Sequence, residues 1–361
     1  MNSVTKPHKI GYIGFGCMAG GYHYDTAMRD DVPFAPAAVF DIDPGKRAIA
    51  ESRGLRAFDN LKDFLDSKLF DLVVVATSNQ FHCPYTCAAL DAGYNVLCEK
   101  PAGLSSGEIE KMIDTAKKSG KLLTFHQNRR VDRDLLIVKE ALEKFDIGRI
   151  FTVENRVGGG EGSTGQMFGW RRFKNHGGGL MLDWGVHVLD QTLYLINEPV
   201  KSVWAQIERI RSEETDDYSK VLIRFESGLT AQVEATSFAP MPLPKWTVIG
   251  SDGMITVKDI EGNGAGLMRI KRSHTDDTLS PYYEPDRNET RPQKMFRVDE
   301  WETVDLPVTP IPQDWAAVYK NIAGALDGKE KLIVTPESVL RCFEVIEAAF
   351  RSAETGQSVE M

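Results

Sequence analysis

Lys9-Ile10-Gly11-Tyr12-Ile13-Gly14-Phe15-Gly16-Cys17-Met18-Ala19 is the stretch whose reading decides the fold. A short apolar run ends at Gly14 and Gly16, and Ala19 takes the last place of the pattern G-x-G-x-x-[GA]. Gly14 permits a tight turn, Gly16 lets the backbone approach a pyrophosphate, and Ala19 keeps the next helix close to the sheet. Phosphate charge then rests on that helix's N-terminus, beside Cys17 and Met18. The pattern carries weight when it sits after a strand and before a helix, as it does here. Asp41 closes the next strand signal about 20 residues on, where a carboxylate holds a ribose 2′-hydroxyl and repels a 2′-phosphate. Ile42 follows it instead of an arginine, so NAD is favoured over NADP.

Outward from this loop, residues 1–126 alternate between short apolar runs and helical patterns. Strands are expected at His8–Ile13, Ala37–Asp41, Leu72–Ala76, Asn95–Cys98 and Lys121–Phe125. Helices are expected at Pro44–Ser52, Leu61–Ser67, Cys83–Ala92 and Ser106–Ser119. Such alternation builds right-handed βαβ units and an α/β, doubly wound parallel sheet. Residues 127–361 read as a second, α+β domain for substrate and self-association. Its helices are expected at Arg133–Lys144, Leu180–Leu195, Pro312–Asp327 and Pro336–Thr355. Its strands, Ile150–Arg156, Val200–Ile210, Asp217–Glu226, Thr230–Ser237, Pro244–Ile249 and Met254–Lys258, are joined largely by short turns. They predict an open, mostly antiparallel sheet. Residues 261–296 are polar and predict an irregular excursion with one hairpin near Leu267–Arg272.

Composition narrows the function classes. The chain has 361 residues, which at roughly 150 per domain suits two domains. A net charge of −9 argues against binding a nucleic-acid backbone. No apolar run approaches the ~20 residues a membrane helix needs. The start, Met1 to Lys9, lacks the apolar core of a secretory signal, so a cytoplasmic location is expected. The five cysteines form no C-x-x-C pair and read as reduced thiols.

Three further motifs carry chemistry. Thr77 and Asn79, in Ala76-Thr77-Ser78-Asn79-Gln80-Phe81-His82, offer polar groups at a strand's carboxyl edge, where open α/β sheets bind ligands. His82 there is equally a cofactor-edge residue or a structural helix-start histidine. Glu99-Lys100-Pro101 aims a lysine into the same crevice, where burial and a cationic nicotinamide would lower its pKa for proton exchange. A surface Lys100 paired with Glu99 is the plain alternative. In Gly177 to Gln191, Asp183 and His187 are four apart and share one face of a helix. They could orient an imidazole or hold a hydroxyl, or be a buried pair without chemistry. A metal site from His176, Asp183 and His187 is disfavoured because no further ligand lies at useful spacing, and no metal is assigned.

In this order the motifs resemble those of the Gfo/Idh/MocA oxidoreductases, over nearly the whole chain. The resemblance implies that Gly14, Gly16, Ala19 and Asp41 hold the dinucleotide, with Thr77, Asn79 and His82 at its edge. It makes Lys100, beside Glu99, and the pair Asp183 and His187 the catalytic and substrate residues. His126-Gln127-Asn128-Arg129-Arg130 would leave the first domain, Gln127 reaching the nicotinamide and Arg129 the substrate. Trp170 and Arg171 are placed near the substrate or as a surface stack, beside a glycine-rich loop at 158–165. The implied activity is reversible, NAD-dependent oxidation of a secondary hydroxyl on a sugar, glycoside or cyclitol, in a homodimer or homotetramer. Redox-neutral glycoside cleavage with tightly held NAD is the alternative, and a non-catalytic NAD-binding regulator is another.

Overall fold

The computed structural model describes residues 8–158, 169–239, 241–284 and 286–361. In the first half, β1 (His8–Ile13) runs into a π-helical turn (Met18–His23) and α1 (Tyr24–Met28). Then follow β2 (Phe34–Phe40), α2 (Pro44–Ser52), β3 (Arg56–Phe58), α3 (Leu61–Asp66) and β4 (Leu72–Val75). The half ends with α4 (His82–Asp91), β5 (Asn95–Cys98), α5 (Ser106–Ser119) and β6 (Leu123–Phe125). The six strands are parallel in the order β3-β2-β1-β4-β5-β6. All four residues of β4 are fully buried, as expected of a strand covered on both faces. The helices begin where their caps dictate: Asp43 accepts from the Gly45 N–H ahead of α2, and Ser105 from the Glu108 N–H ahead of α5. Gly120, at φ +65°, stops α5 in the left-handed conformation.

The second half opens with α6 (Arg133–Lys144) and β7 (Ile150–Gly158). A second π-helical turn (Met181–Gly185) leads into α7 (Val186–Leu195). Strands β8 (Val200–Glu208), β9 (Tyr218–Phe225), β10 (Thr230–Thr236), β11 (Trp246–Gly250) and β12 (Gly253–Val257) follow. Next come β13 (Ala265–Glu284), β14 (Glu289–Leu306), α8 (Ala316–Leu326), α9 (Pro336–Thr355) and β15 (Val359–Glu360). The sheet order is β14-β13-β12-β11-β7-β10-β9-β8-β15, antiparallel except where β10 runs parallel to β7.

The expectation of an irregular excursion over 261–296 is corrected. Its described part is one long hairpin, in which Ala265 pairs with Leu306 and Glu284 with Glu289. Apolar alternation is weak there. Cross-strand ion pairs, Arg269 to Glu302 at 2.7 Å and Lys271 to Glu300 at 2.9 Å, tie the base of the two strands together instead. The three-residue β3 was also not expected from the sequence.

Helices α7 and α9 cover one face of the second sheet, on β7, β10 and β8. The other face presents Leu222, Met254, Met268 and Trp301 to the exterior. Helix α8 returns to the first sheet, packing Val318, Tyr319 and Ile322 against Ile10, Tyr12 and Phe34. Helix α9 packs on α5 and β8 and so joins the two sheets.

Candidate active site

A cleft of about 500 Å³ opens at the carboxyl ends of β1, β2, β4 and β5. Gly14, Gly16, Cys17, Met18, Asp41, Thr77, Asn79, Glu99 and Lys100 line it from the first half, and Trp170, Arg171 and Asp183 from the second. Residues distant in sequence are therefore brought to one place. Ala19, His82, Gln127, Arg129 and His187 stand outside the lining, and the loop at 159–168 lies outside the described residues.

The glycine loop divides its tasks. Gly14 has φ +86°, and a Cβ there would meet the Ala76 carbonyl oxygen at 2.6 Å. Its N–H donates to the Phe40 carbonyl at 2.8 Å, which seats the turn across β2. Among the described residues no heavy atom lies within 4 Å of where a Cβ at Gly16 would stand, so the backbone there is open to a ligand. Ala19 is fully buried against the sheet. Asp41 accepts from the Phe15 N–H at 2.7 Å and, through its other oxygen, from the Asp43 N–H at 2.8 Å. Each oxygen keeps one lone pair, enough for two ribose hydroxyls. No motif marks Arg47, whose guanidinium donates to the carbonyls of Asp41 and Ile42 at 2.8 and 3.0 Å. The cleft also takes in Phe40, Phe81 and Tyr85, apolar surface to which no motif assigns a role.

Asn79 is buried and donates to the Gly177 carbonyl at 2.8 Å, stitching the two halves together. His82 sits between two carbonyls, Pro101 at 2.7 Å and Thr77 at 3.1 Å, and burial lowers its pKa. Those contacts are the ones the structural alternative requires.

Lys100 donates through Nζ to the Asp183 carboxylate at 2.9 Å and to the Asp183 carbonyl at 2.8 Å. Arg171 lies 3.0 Å from the same carboxylate oxygen and stacks on Trp170 at 4.6 Å. Burial alone would raise the Asp183 pKa, but the two cations outweigh it and hold the carboxyl below its usual range. Asp183 lies in the π-helical turn with its carboxylate on Lys100, and no hydrogen bond joins it to His187 among the described residues. Asp216 pins that turn by accepting the Met181 N–H at 2.6 Å, and burial pushes its pKa up to about 6.

His187 is buried, and its Nδ1 has no partner among the described residues. Burial, then the cations Lys100 and Arg129, hold its pKa well below the usual imidazole value, so the ring is neutral at neutral pH. Arg129 stacks on Trp184 at 4.5 Å and donates to Asp132 at 2.8 Å. Arg130, next to it, makes a two-pronged pair with Asp190 on α7 at 2.8 and 2.6 Å, which docks this segment onto the second half. Lys245, also unmarked by any motif, braces the same segment: it donates to Gln191 at 2.9 Å, and Gln191 donates to the Arg129 carbonyl at 2.8 Å. The buried amide of Gln127 has neither atom partnered among the described residues. Unsatisfied buried groups of this kind call for a ligand or water.

His176, Asp183 and His187 do not converge on one point, since His176 turns its Nδ1 to Gln80 at 2.9 Å and Asp183 is taken by cations. A different trio, His23, Glu99 and His126, does bring its ligand-type atoms within 4.8 Å of one another.

Comparison with known proteins follows the same division of the chain. Residues 8–127 match an oxidoreductase family with an NAD-binding Rossmann fold, and residues 135–256 match the GFO/IDH/MocA C-terminal domain. The crystal structure of an NAD-binding protein from Listeria innocua superposes with a TM-score of 0.82 at 34% identity, covering 98% of this chain and 97% of that one. The scyllo-inositol 2-dehydrogenase (NADP(+)) of Bacillus subtilis is 25% identical over 356 residues, 97% of this chain and 95% of that enzyme. The D-glucoside 3-dehydrogenase of Escherichia coli is 31% identical over 206 residues, 55% of this chain and 57% of that enzyme. With its glycine loop, its parallel sheet in the order 3-2-1-4-5-6 and both halves matched, the chain belongs to the Gfo/Idh/MocA family of NAD-binding oxidoreductases.

Proposed function

We propose that this oxidoreductase reversibly oxidises a secondary hydroxyl of a sugar, glycoside or cyclitol, with NAD as the dinucleotide. The observation that carries the reading is the ion pair of Lys100 with Asp183 at the mouth of the glycine-loop cleft. A similar inositol dehydrogenase and a similar glucoside dehydrogenase support the substrate class. The loop from Gly14 to Ala19, Asp41, Thr77, Asn79 and Gln127 would hold the dinucleotide. The open backbone at Gly16, the free lone pairs of Asp41 and the unpartnered Gln127 amide fit such a group. When bound, the nicotinamide supplies the hydride acceptor at C4.

The protein's own part is placement and proton handling. Lys100 and Asp183 offer a cationic donor and an anionic acceptor to one hydroxyl, fixing its carbon. The neutral ring of His187 can take the hydroxyl proton, while the Lys100 ammonium stabilises the oxygen as it gains charge. Arg171 and Trp170 close the substrate side, with Arg129 behind. Asp41 supports NAD over NADP, and Arg47 is the nearby cation a 2′-phosphate would have to win from two carbonyls. The exposed apolar face of the second sheet supports a homo-oligomer that covers it. The test is to mix the protein with NAD or NADP and scyllo-inositol, myo-inositol or methyl glucosides, and follow reduced nicotinamide. Formation with NAD sustains the reading. Glycoside cleavage without net reduced nicotinamide moves it to the redox-neutral alternative.

A further inference from the structure

At the wall of the cleft, around Glu99, lies a buried polar hub that the proposed chemistry does not use. Its centre is Glu99, whose Oε1 accepts from His23 Nε2 at 2.8 Å and from His126 Nδ1 at 2.7 Å. Its Oε2 accepts from the backbone N–H of Lys100 at 2.9 Å. A carboxylate can only accept, so each imidazole carries its proton on the nitrogen facing Glu99. That assignment leaves His23 Nδ1 as an acceptor, and the Tyr319 hydroxyl donates to it at 2.6 Å. All of these side chains are buried. Burial alone would raise the Glu99 pKa, but His126 and His23 outweigh it and keep the carboxylate ionised.

The four contributors come from four separate places. His23 ends the turn that starts at the glycine loop, Glu99 follows β5, His126 follows β6, and Tyr319 is on α8. One acceptor thus ties the dinucleotide loop to the backbone of Lys100. The hub reaches Lys100 through its amide and not its amine, so it holds the residue and carries no proton to it. The same donors explain why the trio's ligand-type atoms crowd together without invoking an ion.

We infer that His23 and His126 are positioning residues, which act through Glu99 to set the Lys100 amine against Asp183 and in register with the dinucleotide loop. This rests on the reading of Lys100 as part of the reaction. The experiment compares His126→Leu, which removes the donor, with His126→Asn, whose amide nitrogen can replace Nδ1. Two quantities are read: hydrogen exchange at the Lys100 amide, and kcat and KM with NAD and whichever of scyllo-inositol or methyl glucoside the parent oxidises. For His126→Leu we expect Lys100 exchange at least about tenfold faster, kcat down about ten- to a hundredfold and NADH affinity within about threefold. His126→Asn should recover both exchange and kcat. An Asn variant as impaired as the Leu variant, or a Leu variant with parental exchange and kcat, overturns the inference. Should His126→Leu not fold, Glu99→Gln, of equal size, must show the same losses, and parental behaviour in it likewise overturns the inference. Exchange needs no substrate, so a parent without turnover counts against the proposed function while the hub is still judged.

Discussion

The Lys100 ammonium donates to both the carboxylate and the main-chain carbonyl of Asp183, at 2.9 and 2.8 Å, across 83 residues of sequence. Two contacts to one residue fix the amine's position more tightly than an ion pair alone. Asp183→Asn keeps the shape but leaves Lys100 and Arg171 without a counter-charge. We expect kcat to fall by about 10²-fold or more, with NADH affinity little changed, in steady-state kinetics alongside fluorescence titration.

His187 is already neutral at neutral pH, so its readiness to accept a proton does not change there. The parent's kcat should show no imidazole-like inflection between about pH 6 and 8, as read from a pH–rate profile. An inflection near the ordinary value of 6.5 would contradict the neutral-ring assignment.

Three buried imidazoles, His23, His82 and His187, have pKa values lowered from 6.5, chiefly by burial. In the unfolded chain they take up protons below 6.5 that the folded chain refuses. Stability is therefore full above that pH and is lost as pH falls, by up to about 1.4 kcal/mol per pH unit for each ring. Asp216, raised to about 6, opposes this between that pH and its ordinary 3.8, because there the folded state binds the extra proton. Asp134, also raised from 3.8 by burial, opposes it too, but three imidazoles outweigh these two carboxyls, so the urea midpoint should drop between about pH 7.5 and about pH 5.5.

Gly14 and Gly16 should fail in different ways. Gly14→Ala sets a Cβ against the Ala76 carbonyl at a positive φ, and should cost about 1–3 kcal/mol of stability, measured by urea unfolding. Gly16→Ala adds a Cβ with no heavy atom of the described residues within 4 Å, so it should leave the urea midpoint nearly unchanged while weakening NADH binding. Equal loss of stability in both would contradict the division of tasks.

Local rules made the first sheet legible. β1, β5, α2 and α5 have the bounds their apolar runs and caps predict, because each is specified by neighbours in sequence. The glycine loop, Asp41, Lys100 and Asp183 were legible as cleft residues because their residue types sit at strand ends and in motifs. What connects them was not. The Lys100–Asp183 contact depends on how two halves pack, which spacing within one segment does not anticipate. The β13–β14 hairpin escaped because cross-strand partners rather than apolar alternation support it. Lys245 and Arg47 matter only through where the fold carries them.

The central claim is that Lys100 and His187 manage the proton while hydride leaves the substrate carbon. Its most direct measurement is single-turnover formation of NADH in the parent, Lys100→Ala and His187→Ala, each saturated with NAD and an oxidisable polyol. We predict folded variants that bind NAD as the parent does and form NADH at least about a hundredfold more slowly. NADH formation at near-parental rate in both variants would contradict the account.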